Sequence, residues 1–396
     1  MLARRVEKTG QSSTMQIAAR AFALKEQGID IINFNIGEPD FPTPEYIKKA
    51  AIRAINDNQT KYTTNSGIYN LRKAICEKLL HENHVQYHPE EILVTNGAKQ
   101  AVYNAVLASV DDGDEVIIPA PYWPSFPEMV RIACGKPVFI EGGLDNGFKI
   151  SARQLEKAIT SKTKAFSLNN PCNPTGAVYS RQELSILADI LIRNKVNIIS
   201  DEIYEKLVFD DFKYTCIASI SEKVKNNTII VNGASKAFAM TGWRLGYAAG
   251  PAEWIKAMDM IQSHSTSAAS TISQFATLTA LQEPQKIVME MVAEFQKRRD
   301  YMVKRLKRIK GINCSVPQGA FYLFPEISFF FGKSYNGFKI NNSVNFVECL
   351  LEEAKTAMVP GSGFGMEGYV RISYANSMDN LEKGMDNIEN VLSKLA

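Results

Sequence analysis

Lys236 stands in the stretch NGASKAFAMTGWRLGY (232–247), just after the apolar run TIIV, and Arg244 follows eight residues later. An unpaired ammonium at the end of a buried strand is costly. Lys236 therefore either escapes to solvent or has a chemical partner. Other reactive side chains occupy the same kind of place. Gly97 and Ala98, in TNGAKQA, open a helix after the run EILVT (91–95), where backbone N–H groups can meet an anion. Trp123 lies in a proline-flanked loop after DEVIIP (114–119), and Asn173 in NPCNPTG after KAFSLN (164–169). Asp201 follows VNIIS (196–200), with Tyr204 three residues on. Each also has a plain structural reading: a glycine at a helix start, a packed loop tryptophan, a stiff proline turn, an N-capping aspartate.

Taken in order, these residues are an anion site, an aromatic, an amide, a carboxylate with a phenol, a lysine and an arginine. That is the set pyridoxal phosphate requires. A lysine condenses with its aldehyde, and a carboxylate keeps the pyridine nitrogen protonated. Donors meet the ring oxygen and an aromatic covers the ring face. An arginine and a helix N-terminus hold the phosphate.

The elements that position this set follow from the grain of the chain. Between residues 46 and 285, continuous apolar β-branched runs alternate with helix-period segments such as AKQAVYNAVLASV and SRQELSILADILIRN. This pattern predicts an α/β fold, with a mostly parallel sheet of the seven-stranded type covered by helices on both faces. Ligands bind such sheets beyond the carboxyl ends of the strands. After residue 285 a long charged helix leads to short strands near CSVP and FYLFP, then the helix VNFVECLLEEAK, the strand YVRISYA and a last helix. Residues 1–45 and 286–396 are expected to form a smaller α+β domain beside the large one at 46–285, the helix around MQIAARAFALKEQ packing with it.

Composition narrows the function class. The formal charge is +3, from 45 basic and 42 acidic side chains, which points away from nucleic-acid or anionic-membrane partners. The amino-terminal segment MLARRVEKTGQSS lacks a signal-peptide core, and no apolar run is long enough to span a membrane. Six scattered cysteines without a CxxC pair suit a reducing cytoplasm rather than a disulfide or zinc framework. Three of the four histidines fall in HENHVQYH, read as a solvated helix end, so no metal is expected and acid–base work must be done by other residues. GSGFGMEG (361–368) imitates a nucleotide-binding glycine loop but precedes a strand, and reads as a substrate-side turn.

The chain resembles the class I aminotransferases of the fold-type-I pyridoxal phosphate family, in the bacterial aspartate aminotransferase branch. The resemblance runs through NIGEPDFPTP (35–44), KYTTNSGIYNLRKAI (61–75), TNGAKQA, PYWPSFPEM, NNPCNPTGAVYS, SDEIYE, SKAFAMTGWRLGYAAGP and YVRISYA, in the family's order. It implies that Lys236 is the Schiff-base lysine and the proton carrier at the substrate α-carbon, and that Asp201 pairs with the pyridine nitrogen. It implies that Tyr204 and Asn173 bond the ring hydroxyl and that Trp123 stacks on the ring. Arg244, Ser235 and the N–H groups around Gly97 and Ala98 would hold the phosphate. Tyr62 would reach the phosphate of a neighbouring subunit, making a homodimer with shared sites. Gly37 would contact substrate through its backbone and Arg371 would grip the substrate α-carboxylate, with Trp123 and Asn173 also lining the substrate side. Small amino acids and 2-oxo acids would be the partners, exchanged by ping-pong kinetics.

Three features depart from the pattern or extend it. Gly233-Ala234-Ser235 replaces the family's Ser-x-Ser, removing one phosphate hydroxyl. Cys172 stands where asparagine is common. The aromatic segment 324–342 reads as a lid or as small-domain packing. Lys99 bears on substrate: its ammonium either adds charge near the phosphate or meets a distal carboxylate, with Ser12 and Thr14 closing over it. The second reading predicts aspartate or glutamate as amino donor. The alternatives are an aromatic or prephenate aminotransferase, a carbon–sulfur lyase on the same cofactor, or a non-catalytic regulator.

Overall fold

Five of the apolar runs form strands within one or two residues of their expected places. A computed structural model describes residues 4–7, 9 and 13–395, those at 4, 5 and 13–18 by backbone alone. The main sheet comprises β1 (Ile92–Thr95), β2 (Glu115–Ala120), β3 (Lys136–Glu141), β4 (Thr163–Asn169), β5 (Asn197–Asp201), β6 (Thr228–Gly233) and β7 (Gly246–Ala249). Their spatial order is β1-β7-β6-β5-β4-β2-β3. β2 to β6 pair in parallel, and β7 alone runs against both of its neighbours. The fold is thus α/β with a mostly parallel seven-stranded sheet.

Both faces are covered, which is why these strands read as unbroken apolar runs rather than alternating ones. Val116 and Ile118 pack with the helix Ala98–Ser109 on one face. Ile117, between them, packs with the helix Arg181–Arg193 on the other. β3 and β7 were not anticipated. β3 is an edge strand with five of its six residues part-buried or exposed, and β7 is a short run of mostly small residues, GYAA.

A second, antiparallel sheet is built from β8 (Tyr322–Leu323), β9 (Val359–Pro360) and β10 (Val370–Ser373), in the order β9-β10-β8. It is packed by the helices Lys286–Leu306, Ser343–Glu353 and Met378–Leu392 through Phe295, Phe346 and Met385. From the N-terminal helix Ser13–Glu26, Ala21 and Leu24 pack against Leu351 and Ala357. The strand expected at CSVP does not form. Arg299 donates to the Pro317 carbonyl at 3.1 Å, and Gln318 and Gly319 donate to the Gly176 carbonyl. The backbone here bonds to a loop of the large sheet instead of a ladder. The aromatic segment 324–342 is packing: Phe324, Ile327, Phe330 and Ile340 are buried, and Phe324 stacks on Tyr369 at 5.2 Å.

Candidate functional site

Because β1 to β6 run one way, their carboxyl ends share one edge of the sheet. The ends of β1, β2, β4, β5 and β6 and the segments leaving them there carry Ala98 and Lys99, Trp123, Asn173, Asp201 with Ile203 and Tyr204, and Ser235 with Lys236. With Arg244 from the turn before β7, and Asn35–Glu38 and Arg371 from the second sheet's side, they line a cavity of about 500 Å³. Of the sequence-predicted residues, Gly37, Ala98, Lys99, Trp123, Asn173, Asp201, Tyr204, Ser235, Lys236, Arg244 and Arg371 face this one space. Tyr62 and Gly97 do not: Tyr62 is 96% exposed in the single chain, and Gly97 is buried outside the lining. Ser12 and the Thr14 side chain lie outside the described residues.

Local backbone explains the arginine's place. Gly97 holds φ +79°, and a Cβ there would lie 2.6 Å from Arg244 Nη2. A Cβ at Gly246 would lie 2.3 Å from the Ala98 amide nitrogen. Two glycines therefore let the β7 turn close against the start of the helix Ala98–Ser109. The first amides of that helix have no partners within the helix. A guanidinium beside a helix N-terminus is a phosphate cradle. Arg244 Nη1 donates to the Thr241 carbonyl at 2.9 Å, and Thr241 Oγ1 donates to Glu38 Oε2 at 2.5 Å.

Asp201 is 6% exposed, and the Ile203 N–H, 3.2 Å away, donates to it. No Lys, Arg or His makes an ion pair with it among the described residues. Burial pushes its carboxyl up to about 7, against smaller lowering effects from that N–H and from Lys236. A buried carboxylate in this condition is completed by a cationic N–H donor. Lys236 donates through Nζ to the Gly37 carbonyl. Burial brings its ammonium down to about 8, with Glu38 opposing and Arg371 assisting, so an amine able to attack a carbonyl is present near neutral pH.

Arg371 is a second uncompensated charge. It is buried, and burial lowers its pKa while Tyr322 and Tyr204 act the other way. Nη1 donates to Asn173 Oδ1 at 3.1 Å and Nη2 to the Asn35 carbonyl at 2.6 Å, while Nε is buried without a partner. No carboxylate pairs with it among the described residues. A buried guanidinium with an unused donor is a site for a carboxylate ligand. Lys99, exposed at the cavity mouth, has its ammonium 4.9 Å from the centre of the Trp123 ring. Partial desolvation and then the Arg244 charge lower its pKa.

The residues present fit pyridoxal phosphate. There is an attacking amine, a carboxylate lacking a cation, phenol and amide donors, an aromatic face, and a cationic helix-start cradle, all on one cavity. Five polar lining residues were not singled out from sequence: Asn35, Glu38, Asn169, Thr241 and Tyr322. Asn35 and Glu38 stand inside NIGEPD, a motif read only for Gly37. Asn169 Oδ1 accepts from the Asn173 amide at 2.7 Å and so shapes the NPCNPTG turn.

Comparison with known proteins places this arrangement among relatives. Residues 29–388 match the family model described as aminotransferase class I and II. A probable aspartate/prephenate aminotransferase of Rickettsia conorii is 48% identical over 394 residues, covering 99% of this chain and 98% of its own. The aspartate aminotransferase of Bacillus subtilis is 45% identical, with 99% of each chain covered. The crystal structure of the Rhizobium meliloti aspartate aminotransferase superposes with a TM-score of 0.97 at 45% identity, over 100% of both chains. The Thermus thermophilus enzyme, in a structure with maleate, gives a TM-score of 0.93 at 42% identity over 99% of both.

Proposed function

The chain belongs to the class I and II aminotransferases, and from that premise we propose that it moves the amino group of aspartate, or glutamate, to a 2-oxo acid such as 2-oxoglutarate. The observation that carries the reading is the placing of two cations that have no ion-pair partner among the described residues, Arg371 buried in the cavity wall and Lys99 at its mouth, with Lys236 on the same wall. A substrate with two carboxylates and an amino group between them satisfies all three. The names of the R. meliloti and B. subtilis relatives, and the dicarboxylate maleate in the T. thermophilus structure, support the same choice.

When bound, pyridoxal phosphate supplies the aldehyde that takes up the amino group and the electron-withdrawing ring that acidifies the neighbouring carbon. Lys236 would hold its aldehyde and Asp201 its ring nitrogen. Tyr204 and Asn173 would meet the ring oxygen, and Trp123 would cover the ring face. Arg244, Ser235 and the amides of Gly97 and Ala98 would hold the phosphate. Arg371 grips the α-carboxylate and turns the α-carbon toward Lys236. Lys236, an amine near neutral pH, would take and carry the α-proton, so no histidine is needed. Backbone groups at Gly37 keep substrate and lysine in register, since Nζ already donates to that carbonyl.

Further parts of the reading rest on separate supports. Tyr62 is exposed and does not line its own chain's cavity, which suits a homodimer in which it completes the neighbour's phosphate site. Residues 46–285 form the large domain and 1–45 with 286–396 the smaller one, the cavity lying where they meet. All six cysteines are free thiols, which suits the cytoplasm. No helix among the described residues is long and apolar enough to cross a membrane. Prephenate as an additional oxo acid rests on the name of the R. conorii relative, and is checked by supplying it as acceptor with aspartate.

The test of the main reading is Lys236→Ala. The purified variant should lose the visible absorbance of the lysine-bound cofactor and all aspartate transamination with 2-oxoglutarate. Near-normal turnover in that variant would end the assignment.

A further inference from the structure

Tyr322 is a large side chain on this cavity's wall that touches both halves of the chemistry. It lies on β8, whose partner strand β10 carries Arg371, with Ser373 opposite Tyr322 in the ladder. Its ring is fully buried, at 0% exposure. The guanidinium carbon of Arg371 stands 4.5 Å from the ring centre. Its hydroxyl lies 2.7 Å from the hydroxyl of Tyr204, which comes from the loop after β5 in the other sheet.

From this geometry we infer that Tyr322 is a positioning residue for both partners: its hydroxyl fixes the direction of the Tyr204 proton, and its ring face supports the buried charge of Arg371. The inference rests on the roles given above to Tyr204 and Arg371.

Proton counting supports the first half. A phenol has one proton to donate. If Tyr204 gives its proton to the cofactor's ring oxygen, the 2.7 Å contact can be filled only by Tyr322 donating to Tyr204. Tyr322 then holds the Tyr204 proton toward the cavity and polarises it, as chains of hydrogen bonds do. Without Tyr322 as donor, the Tyr204 hydroxyl is free to rotate and gives up part of its hold on the ring oxygen.

Charge supports the second half. Arg371 has only two neutral acceptors among the described residues, Asn173 Oδ1 and the Asn35 carbonyl. The faces of Tyr322 and, at 5.2 Å, Phe364 supply the remaining negative potential. A desolvated cation over an aromatic face is a substantial attraction. It also keeps the guanidinium plane fixed before substrate arrives.

The experiment separates ring from hydroxyl in the holoenzyme. Tyr322→Phe keeps the ring and loses the donor. The pH midpoint of the bound cofactor's visible absorbance should rise by about 0.3 unit, because a weaker donor stabilises the ring oxygen's negative charge less. Succinate, a dicarboxylate without an amino group, should bind within two-fold of wild type. Tyr322→Leu loses both, and succinate binding should weaken about ten- to thirty-fold. A midpoint unmoved in Tyr322→Phe overturns the hydroxyl's role. Equal weakening of succinate by both variants, or by neither, overturns the ring's role. Should the leucine variant fail to fold, the phenylalanine variant alone decides through its midpoint. Wild type is the control for the underlying reading: absence of the cofactor band there defeats that reading, whereas a normal wild-type band with unchanged variants defeats only the role of Tyr322.

Discussion

Replacing Asp201 with asparagine in the cofactor-free protein isolates what that carboxylate does to the fold. Burial raises its pKa from 3.8 to about 7. A group whose folded pKa is raised stabilises the fold below its unfolded pKa, and that stability is lost as pH climbs through the folded value. The full span is about three pH units, or about 4 kcal/mol against the fold in alkaline solution. Most of it develops between pH 5 and 8.5, where the change is about 3 kcal/mol. Asparagine keeps the Ile203 N–H bond and cannot ionise. The apo variant should therefore gain on apo wild type by about 3 kcal/mol over that interval. With an unfolding entropy of about 2.1 cal/mol/K per residue, this is a relative shift in Tm of about 3–4 °C. Thermal unfolding of both apo proteins at pH 5 and pH 8.5 reads it directly. A difference in Tm that is the same at both pH values would refute the reasoning, and would mean that Asp201 stays ionised in the fold without a cofactor. Loading with pyridoxal phosphate should reverse the ranking at pH 8.5, since only the carboxylate can pair with a protonated ring nitrogen.

Three further outcomes are expected. Lys99→Ala should lower kcat/KM for aspartate about thirty-fold, the lower end for a charge pair because Lys99 is exposed, while leaving phenylalanine nearly unchanged; equal losses would assign Lys99 to the phosphate. Glu205→Gln should lower Tm by about 4 °C, since it removes the main partner of the buried Lys78, whose ammonium then keeps only Asn83 Oδ1 at 2.7 Å and Glu82 at 3.5 Å; a shift under one degree in thermal unfolding would contradict this. Mixing an inactive Lys236 variant with an inactive Tyr62 variant should restore part of the activity through hybrid sites, whereas no recovery from a mixture shown to exchange subunits would remove Tyr62 from its proposed role.

What the sequence made legible depended on how local the signal was. Strands buried on both faces announce themselves, as ILVT, EVIIPA, TKAFSLN, NIISD and TIIVNG do, and the reactive residues stand at each strand's end or within four residues of it. β7 has no such signature, because four mostly small residues become a strand only when two neighbours flank them. β3 sits at an edge and pairs with β2 alone, so its burial is partial and its pattern weak. Tyr322 looked like one more apolar residue in FYLFP; its contact with Tyr204 spans 118 positions and leaves no mark on either segment. CSVP failed for the same reason, since the groups that take its hydrogen bonds lie on remote segments.

The bond from Arg371 to the Asn35 carbonyl joins residues 336 positions apart. During synthesis at about 5–20 residues per second, roughly 17–67 s separate the emergence of these two partners. The large sheet, with Lys236 and Asp201 in place, can form well within that interval. The lysine and aspartate can thus be held before the carboxylate clamp has been made. Any amino acid met during that time finds no arginine to orient it, so the growing chain gains its grip on substrate later than its reactive amine.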